Sequence, residues 1–314
     1  MIFQNLALTG WSYEKGDKKL AVADLDIPKR ILIRNPVDAI YVYEDESIWQ
    51  DRLQHHVRNA VKMAEIDHTD IQGFMGVHNG YKKHISGASD VTMGAFPDTE
   101  GFMFDFSLGC ASVVLSAQLA GLHFSTAEVN NVAVGNVQFI TQYTHNYSDG
   151  NSLFADSIGA LVYSKRSKGN MVRFTEITSN AEFRDMFVFD DEAKYSLANL
   201  QKGVDLTKFM IKSFGGHMRK GCVSMKIMPK DIDFIAISCS TYQATKTVLE
   251  AMQFPLERTG LECLTKVPHM GMNDIPYQIE FGIEQGLIKP GSKILVSGTG
   301  LGFSIATMAI EWGT

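Results

Sequence analysis

The chain has 314 residues, 45% of them hydrophobic and 20% charged, the balance of a folded globular protein rather than a disordered one. The formal net charge is −6, a poor match to a phosphate backbone, so nucleic acid is not an expected partner. Four cysteines, Cys110, Cys222, Cys239 and Cys263, form no C-x-x-C pair, which argues against a disulfide framework or a zinc site and for a reducing, cytoplasmic setting.

The first residues, Met1-Ile2-Phe3-Gln4-Asn5, lack the positive start and apolar block of a signal peptide. An amphipathic segment over residues 47–64 comes first. It carries His55-His56, whose adjacent positions face different ways on a helix and cannot share one metal ion, so no metal is expected. Asp70-Ile71 follows, then an apolar run over 74–77 that predicts a buried strand. His78 ends that run near the expected site. His84 and His145 stand in loop-like surroundings.

The Met and Phe clusters at 93–96 and 102–104 read as core, or as an apolar pocket wall. Gly109-Cys110 introduces an uncharged helical run over 111–122. Residues 106–122 and 294–310 carry no charge, but both are too short for a membrane span and are broken by Gly and Ser. A helix apolar all round belongs between layers of a large protein. Strands are predicted over 131–137 and 157–162. The lysine-rich stretch 164–170 predicts a junction, and 181–203 an irregular insertion over a pocket.

Beyond the junction the same unit returns. A second amphipathic segment, 207–225, precedes Asp231-Ile232, which matches Asp70-Ile71 without a gap. A buried strand over 234–237 follows. About 40 residues after Asp231 comes His269-Met270-Gly271, then a helical run over 275–285 and strands over 293–297 and 304–309. Alternating strands and helices imply parallel sheets covered by helices. The expected fold is α/β, a five-layer α/β/α/β/α stack of two duplicated halves, residues 1–165 and 166–314.

A duplicated fold tends to place its site where the halves meet. Each half offers one reactive side chain at the start of a buried helix, Cys110 and His269. A helix N-terminus favours thiolate, and an imidazole beside it can act as base or as imidazolium partner. By itself Cys110 also reads as a small core residue.

Three segments carry a resemblance. Residues 104–112, with Gly109-Cys110-Ala111-Ser112, resemble the nucleophile segment of the 3-oxoacyl-carrier-protein synthase III family, of the thiolase fold. Residues 152–162 resemble that family's F-G-D-G-A-G-A strand. Residues 286–303 resemble its G-x-I-K-P-G segment and glycine-rich turn. The order and spacing fit over roughly residues 50–314.

The resemblance implies a dimer, no metal and no permanently bound cofactor. It also implies a cysteine that takes an acyl group from coenzyme A, with a histidine and an asparagine that promote decarboxylative condensation. The family histidine falls where this chain has Ser238-Cys239-Ser240-Thr241, and the family asparagine falls on His269. Related elongating synthases and thiolases carry a histidine there. With one enolate donor missing, acyl transfer through Cys110 and His269 suits the chain better than condensation.

Backbone N–H groups of Cys110 and of the Gly300-Leu301-Gly302 turn are the expected oxyanion hole, with Ser238 and Cys239 as pocket residues. Lys208, Lys212 and Arg219, with Lys220 and Lys226, read as a solvated face or as a docking patch for coenzyme A or an acidic carrier protein. The expected function is therefore acyl transfer, of a kind suited to specialised metabolism. The acyl group would pass from acyl-coenzyme A or an acyl carrier to an oxygen, nitrogen or activated carbon of a small-molecule acceptor, in a homodimer or a heterodimer with a paralogue. Decarboxylative condensation and a non-catalytic partner subunit are the alternatives.

Overall fold

A computed structural model describes every residue except 46, 80–86, 127, 193, 240 and 301, and leaves aside the side chains of residues 79 and 200. In chain order the first half contains β1 (Leu6–Lys15), β2 (Lys18–Ala21), α1 (Lys29–Arg34), β3 (Ala39–Val42), α2 (Trp49–Met63), β4 (Gly73–Asn79), α3 (Ala88–Met93), β5 (Phe102–Phe106), α4 (Ser112–Thr126), β6 (Asn131–Gln138) and β7 (Ser157–Lys165). The second contains β8 (Met171–Ser179), β9 (Phe187–Phe189), β10 (Tyr195–Leu197), α5 (Gly203–Met225), β11 (Phe234–Ser238), α6 (Tyr242–Ala251), α7 (Cys263–Lys266), α8 (Asp274–Glu284), β12 (Lys293–Gly300) and β13 (Ser304–Glu311). The order β1, α2, β4, α4, β6, β7 recurs as β8, α5, β11, α8, β12, β13. Both repeated aspartates close a single 3-10 turn ahead of a strand, at His68–Asp70 and Pro229–Asp231.

Among the described residues, nine strands run in the order β11-β12-β13-β8-β1-β7-β6-β4-β5. The two halves of this sheet meet where β1 runs beside β8, at the register pair Ala7 with Met171. Helices then stack in three layers. Helices α2 and α3 cover the outer face of the first half, where Leu53, Val57, Phe74 and Val91 meet. Helices α5 and α6 cover the outer face of the second, around Phe214, Met218, Ile235 and Leu249. Between the two inner faces lie α4 and α8, whose Val113, Val114, Ala117, Ile275 and Ile279 pack with Met75, Val134, Phe234 and Val296. This is the five-layer α/β/α/β/α stack.

The expectation of parallel sheets is corrected in part. Among the described residues, only β4–β5, β4–β6 and β11–β12 of the named strands run parallel, whereas β7 and β13 run antiparallel to their neighbours. Both strands are covered on each face, so their composition carries the near-continuous apolar run usually typical of parallel strands.

Helix α4 buries small residues on several sides, and its buried Ser112 and Ser116 are paired. The Tyr163 hydroxyl lies 3.1 Å from both Ser116 Oγ and the Val113 carbonyl. Only toward its C-terminal end does it reach solvent, where Leu122 is exposed. The stretch 181–203 is less irregular than expected. It carries the small hairpin β9–β10, in which Tyr195 pairs with Phe189 and Leu197 with Phe187.

Candidate active site

Cys110 stands between the edge strand β5 and the buried helix α4. Gly109 has φ +56°, a left-handed turn that glycine adopts without steric cost, and it swings the chain from strand to helix. Two bonds fix that turn. Ser112 Oγ accepts the Leu108 N–H at 2.8 Å, and the Ala111 N–H donates to the Thr299 carbonyl of β12 at 3.1 Å. The nucleophile candidate, from the first half, is thus held by a strand of the second.

His269 comes from the second half and is held by the first. Its N–H donates to the Leu153 carbonyl at 3.2 Å, and its carbonyl accepts from Ala155 at 3.0 Å. Its ring packs against Phe154, with centroids 5.7 Å apart. These contacts place Nε2 2.7 Å from Cys110 Sγ. The two candidates read from sequence do face each other.

A third residue completes the relay, and sequence reasoning missed it. Asp274, the first residue of α8, is buried and sets Oδ2 2.5 Å from His269 Nδ1. Gly271 makes this possible. Its φ of +65° turns the chain back, and a Cβ there would lie 2.3 Å from Gln138 Oε1. Asp274 is in turn held by the Met270 N–H at 2.8 Å and by Ser238 Oγ at 3.0 Å. Asn273 ties the same turn to β6 and β7 through Asn136 (2.6 Å) and Ser157 (2.9 Å). The one available sequence signal was an aspartate opening a helix whose first turn is otherwise apolar.

Burial alone would push the His269 imidazolium below the usual histidine range. The charge on Cys110 and the charge and hydrogen bond of Asp274 outweigh it and hold the value well above that range. The folded value is raised, so the stabilisation from this pairing is fully present below a pH of about 6.5 and is lost as the pH rises through the folded value. Ring nitrogen NMR should therefore show His269 still protonated at neutral pH. Cys110→Ala should bring its titration down, and an unshifted titration in that variant would break the assignment of Cys110 as its charge partner.

The other expected site residues fare unevenly. Ser238 is not a pocket residue. It lies fully buried beneath Asp274, within 2.9 Å of the Gly271 carbonyl, because the turn at 271 carries the polypeptide under the end of β11. Cys239 does line a cavity of about 370 Å³, together with Met186, Phe187, Met210 and Phe303. Gly300 ends β12, where a Cβ would lie 2.6 Å from the Leu108 carbonyl, while Leu301, Ser240 and His84 lie outside the described residues.

The expected docking residues do not line that cavity. Lys208, Lys212 and Arg219 are exposed on α5, but the cavity is faced by Gly203, Leu206, Thr207 and Met210 of that helix. Lys208 lies about 100° around the helix from Thr207, and it pairs with Asp205 at 2.9 Å. The basic group at the cavity is Arg34, which donates to Asn151. His145 pairs with Asp190 at 2.5 Å, His56 with Ser12 at 2.7 Å, and His78 lies on β4.

Residues 222–312 match the family described as 3-oxoacyl-[acyl-carrier-protein (ACP)] synthase III C terminal. The chain is 23% identical over 211 residues to beta-ketoacyl-[acyl-carrier-protein] synthase III 1 of Bacillus anthracis, a stretch covering 67% of this chain and 66% of that relative. It is 20% identical over 273 residues to the synthase III of Acaryochloris marina, covering 81% and 80%. Among solved structures, the 3-oxoacyl-[acyl-carrier-protein] synthase III of Aquifex aeolicus superposes with a TM-score of 0.83 at 16% identity, over 98% of this chain and 100% of that one. A variant of OleA from Xanthomonas campestris gives 0.84 at 13% identity, over 99% and 100%. Fold, sequence match and the order of motifs agree: the chain has the thiolase fold, and its residues 222–312 match the C-terminal region of the synthase III family.

Proposed function

We propose that the protein is an acyltransferase working through a covalent acyl-Cys110 thioester. One observation carries the reading: Cys110 Sγ, His269 Nε2, His269 Nδ1 and Asp274 Oδ2 form a continuous relay with spacings of 2.7 and 2.5 Å. Nucleophile, base and orienting carboxylate are the parts that nucleophilic acyl transfer requires.

In the first half-reaction the Cys110 sulfur attacks the carbonyl carbon of an acyl thioester. The bond to the donor's sulfur breaks, and the proton on His269 Nε2 passes to that leaving thiolate. In the second, an acceptor oxygen or nitrogen attacks the acyl-Cys110 carbonyl and gives its proton to Nε2. The Cys110 sulfur leaves as thiolate and the imidazolium is restored. Asp274 keeps a proton on Nδ1 throughout, so Nε2 is always the atom that exchanges. In this reading the backbone N–H of Cys110 serves the oxyanion.

Decarboxylative condensation is less well supplied. Its enolate needs two donors, and a missing one costs about 2.7–4 kcal/mol. Ser238 stands nearest the family histidine's place in sequence, but its single proton is taken up by the Gly271 carbonyl or by Asp274. In this reading the acyl donor is coenzyme A-linked or carrier-linked, with Arg34 at the cavity mouth as a phosphate contact. No cofactor is permanently bound, and the acceptor is a small molecule of specialised metabolism. The exposed edge strand β5 is the face assigned to a homodimer or a heterodimer with a paralogue.

The test is intact-protein mass after incubation with acyl-coenzyme A donors of increasing chain length, and with the same acyl groups on a carrier protein. A mass gain that disappears in Cys110→Ala, and is slowed about 10²–10⁴-fold in His269→Ala, is the expected result. No gain with any donor would overturn the enzyme reading in favour of a non-catalytic partner subunit.

A further inference from the structure

A second cavity lies behind the relay, and the acyl chemistry just described does not use it. Successive side chains of β1 point to opposite faces. Ser12 and Glu14 turn to α2, where they meet His56 at 2.7 Å and Arg52 at 2.9 Å. Trp11 and Tyr13 turn the other way, toward α8 and the core between the sheets. On α8, Tyr277 and Glu280 are spaced i, i+3 and share one side of the helix. Between these elements is a cavity of about 450 Å³, a volume ordinary for a small-molecule site.

Its walls are largely apolar. Trp11, Val267, Met270 and Tyr277 line it, and the Tyr13 and Tyr277 rings lie 6.2 Å apart. Glu280 faces the same space. One of its oxygens accepts the Trp11 indole N–H at 3.1 Å and the other accepts the Tyr13 hydroxyl at 2.6 Å. Both donors are neutral. Burial, together with the Glu280 bond, holds the Tyr13 phenol well above its ordinary range, so it stays a donor. A carboxylate offers about four acceptor positions, so Glu280 keeps room for a charged donor.

Lys15 brings the opposite charge to the cavity. Its Nζ stands 3.9 Å from the centroid of Tyr41, a ring that packs with Val267 and Met270. Glu14 also borders the space, but its charge is taken up by Arg52. Neither Glu280 nor Lys15 has an ion-pair partner among the described residues, and the two do not meet each other. A carboxylate and an ammonium left apart on one cavity are complementary to a ligand that carries both charges. An amine alone would be repelled by Lys15, and a carboxylate alone by Glu280.

We propose that this cavity is a second ligand site and that it takes a small zwitterion of the amino-acid class. The ligand's ammonium donates to Glu280, its carboxylate accepts from Lys15, and its apolar side chain lies against Trp11 and Tyr277. This cavity and the one beside Cys239 share no lining residue, and neither Cys110 nor His269 lines it, so the occupant is an effector rather than a substrate. It rests on Val267 and Met270, which flank His269, and on the helix that Asp274 begins. The same Met270 holds Asp274 through its N–H and Ser157 through its carbonyl, so an occupant bears directly on the turn that carries the relay.

The test is calorimetric titration of the native protein with L-phenylalanine, 2-phenylethylamine and 3-phenylpropionate, repeated with L-phenylalanine on Glu280→Gln and Lys15→Gln. The NMR signal of the Trp11 indole N–H, which donates to Glu280, reports whether binding is at this cavity. Glutamine keeps an oxygen for that N–H, and Lys15 is exposed, so neither change removes a core contact. L-Phenylalanine is expected to bind most tightly of the three and to move the Trp11 signal. Its affinity should fall about tenfold in Glu280→Gln and about threefold in Lys15→Gln, whose ammonium is the more solvated charge. The two single-charge analogues make the same comparison on the native protein, with losses of the same order. The proposal is overturned by absence of binding at millimolar L-phenylalanine, by an unmoved Trp11 signal, or by either analogue binding as tightly as the zwitterion. A loss in only one variant, or in neither, also overturns it. Binding needs no acyl donor, so the result is read whether or not Cys110 acylates.

Discussion

Asp274→Asn should slow acylation of Cys110 by about 10²–10⁴-fold without unfolding the protein. The carboxylate accepts from His269 Nδ1 and so keeps Nε2 facing the thiol as the exchanging atom. An asparagine can still accept the Met270 N–H through its oxygen, which leaves its N–H₂ group facing Nδ1. Nδ1 then becomes the acceptor, the ring proton moves to Nε2, and the base is lost in the orientation that matters. Single-turnover acylation rates, with circular dichroism as the check on folding, decide it. A rate within a few-fold of native would mean that the His269 ring is oriented by Phe154 and the backbone alone.

Gly298→Ala is expected to produce the second large effect. Gly298 lies in β12, and a Cβ there would stand 2.8 Å from the Cys110 carbonyl oxygen and 3.0 Å from Ala111 Cα. Both are backbone atoms held by the turn at Gly109 and by the Thr299 bond, so neither can swing aside as a side-chain tip would. The nucleophile loop must shift by several tenths of an ångström. Displacement of a reacting atom by about 1 Å can cost about 10²-fold in rate, so a loss of about 10- to 100-fold in acylation is expected. The melting temperature should change far less than the rate does. Full activity in this variant would show that the loop is not registered on β12.

The duplication was legible because burial imposes it twice. Phe74 and Ile235 sit at the same point of a strand covered on both faces, so each half had to repeat the same apolar run. Cys110 and His269 were legible for a related reason. Each is a reactive group placed where a polar chain meets an apolar helix. Strand direction was not legible, because β7 and β13 bury both faces whichever way they run.

Asp274 escaped notice because its role depends on the turn at Gly271, and a one-dimensional pattern does not reveal that the chain doubles back there. Ser238 was misplaced for the same reason: the doubled-back turn covers it. The lysines of α5 were read as a solvated face or a docking patch, but the sequence does not say which side of that helix faces the cavity.

The relay is divided between the two halves of the chain, Cys110 in one and His269 with Asp274 in the other, and each is anchored by backbone of the opposite half. During synthesis the nucleophile is therefore made about half a chain before its base. Until the second half has folded and docked, the thiol has no imidazole beside it. A partly made or half-unfolded polypeptide thus lacks a competent centre, and the chemistry is withheld from every form of the protein except the finished one.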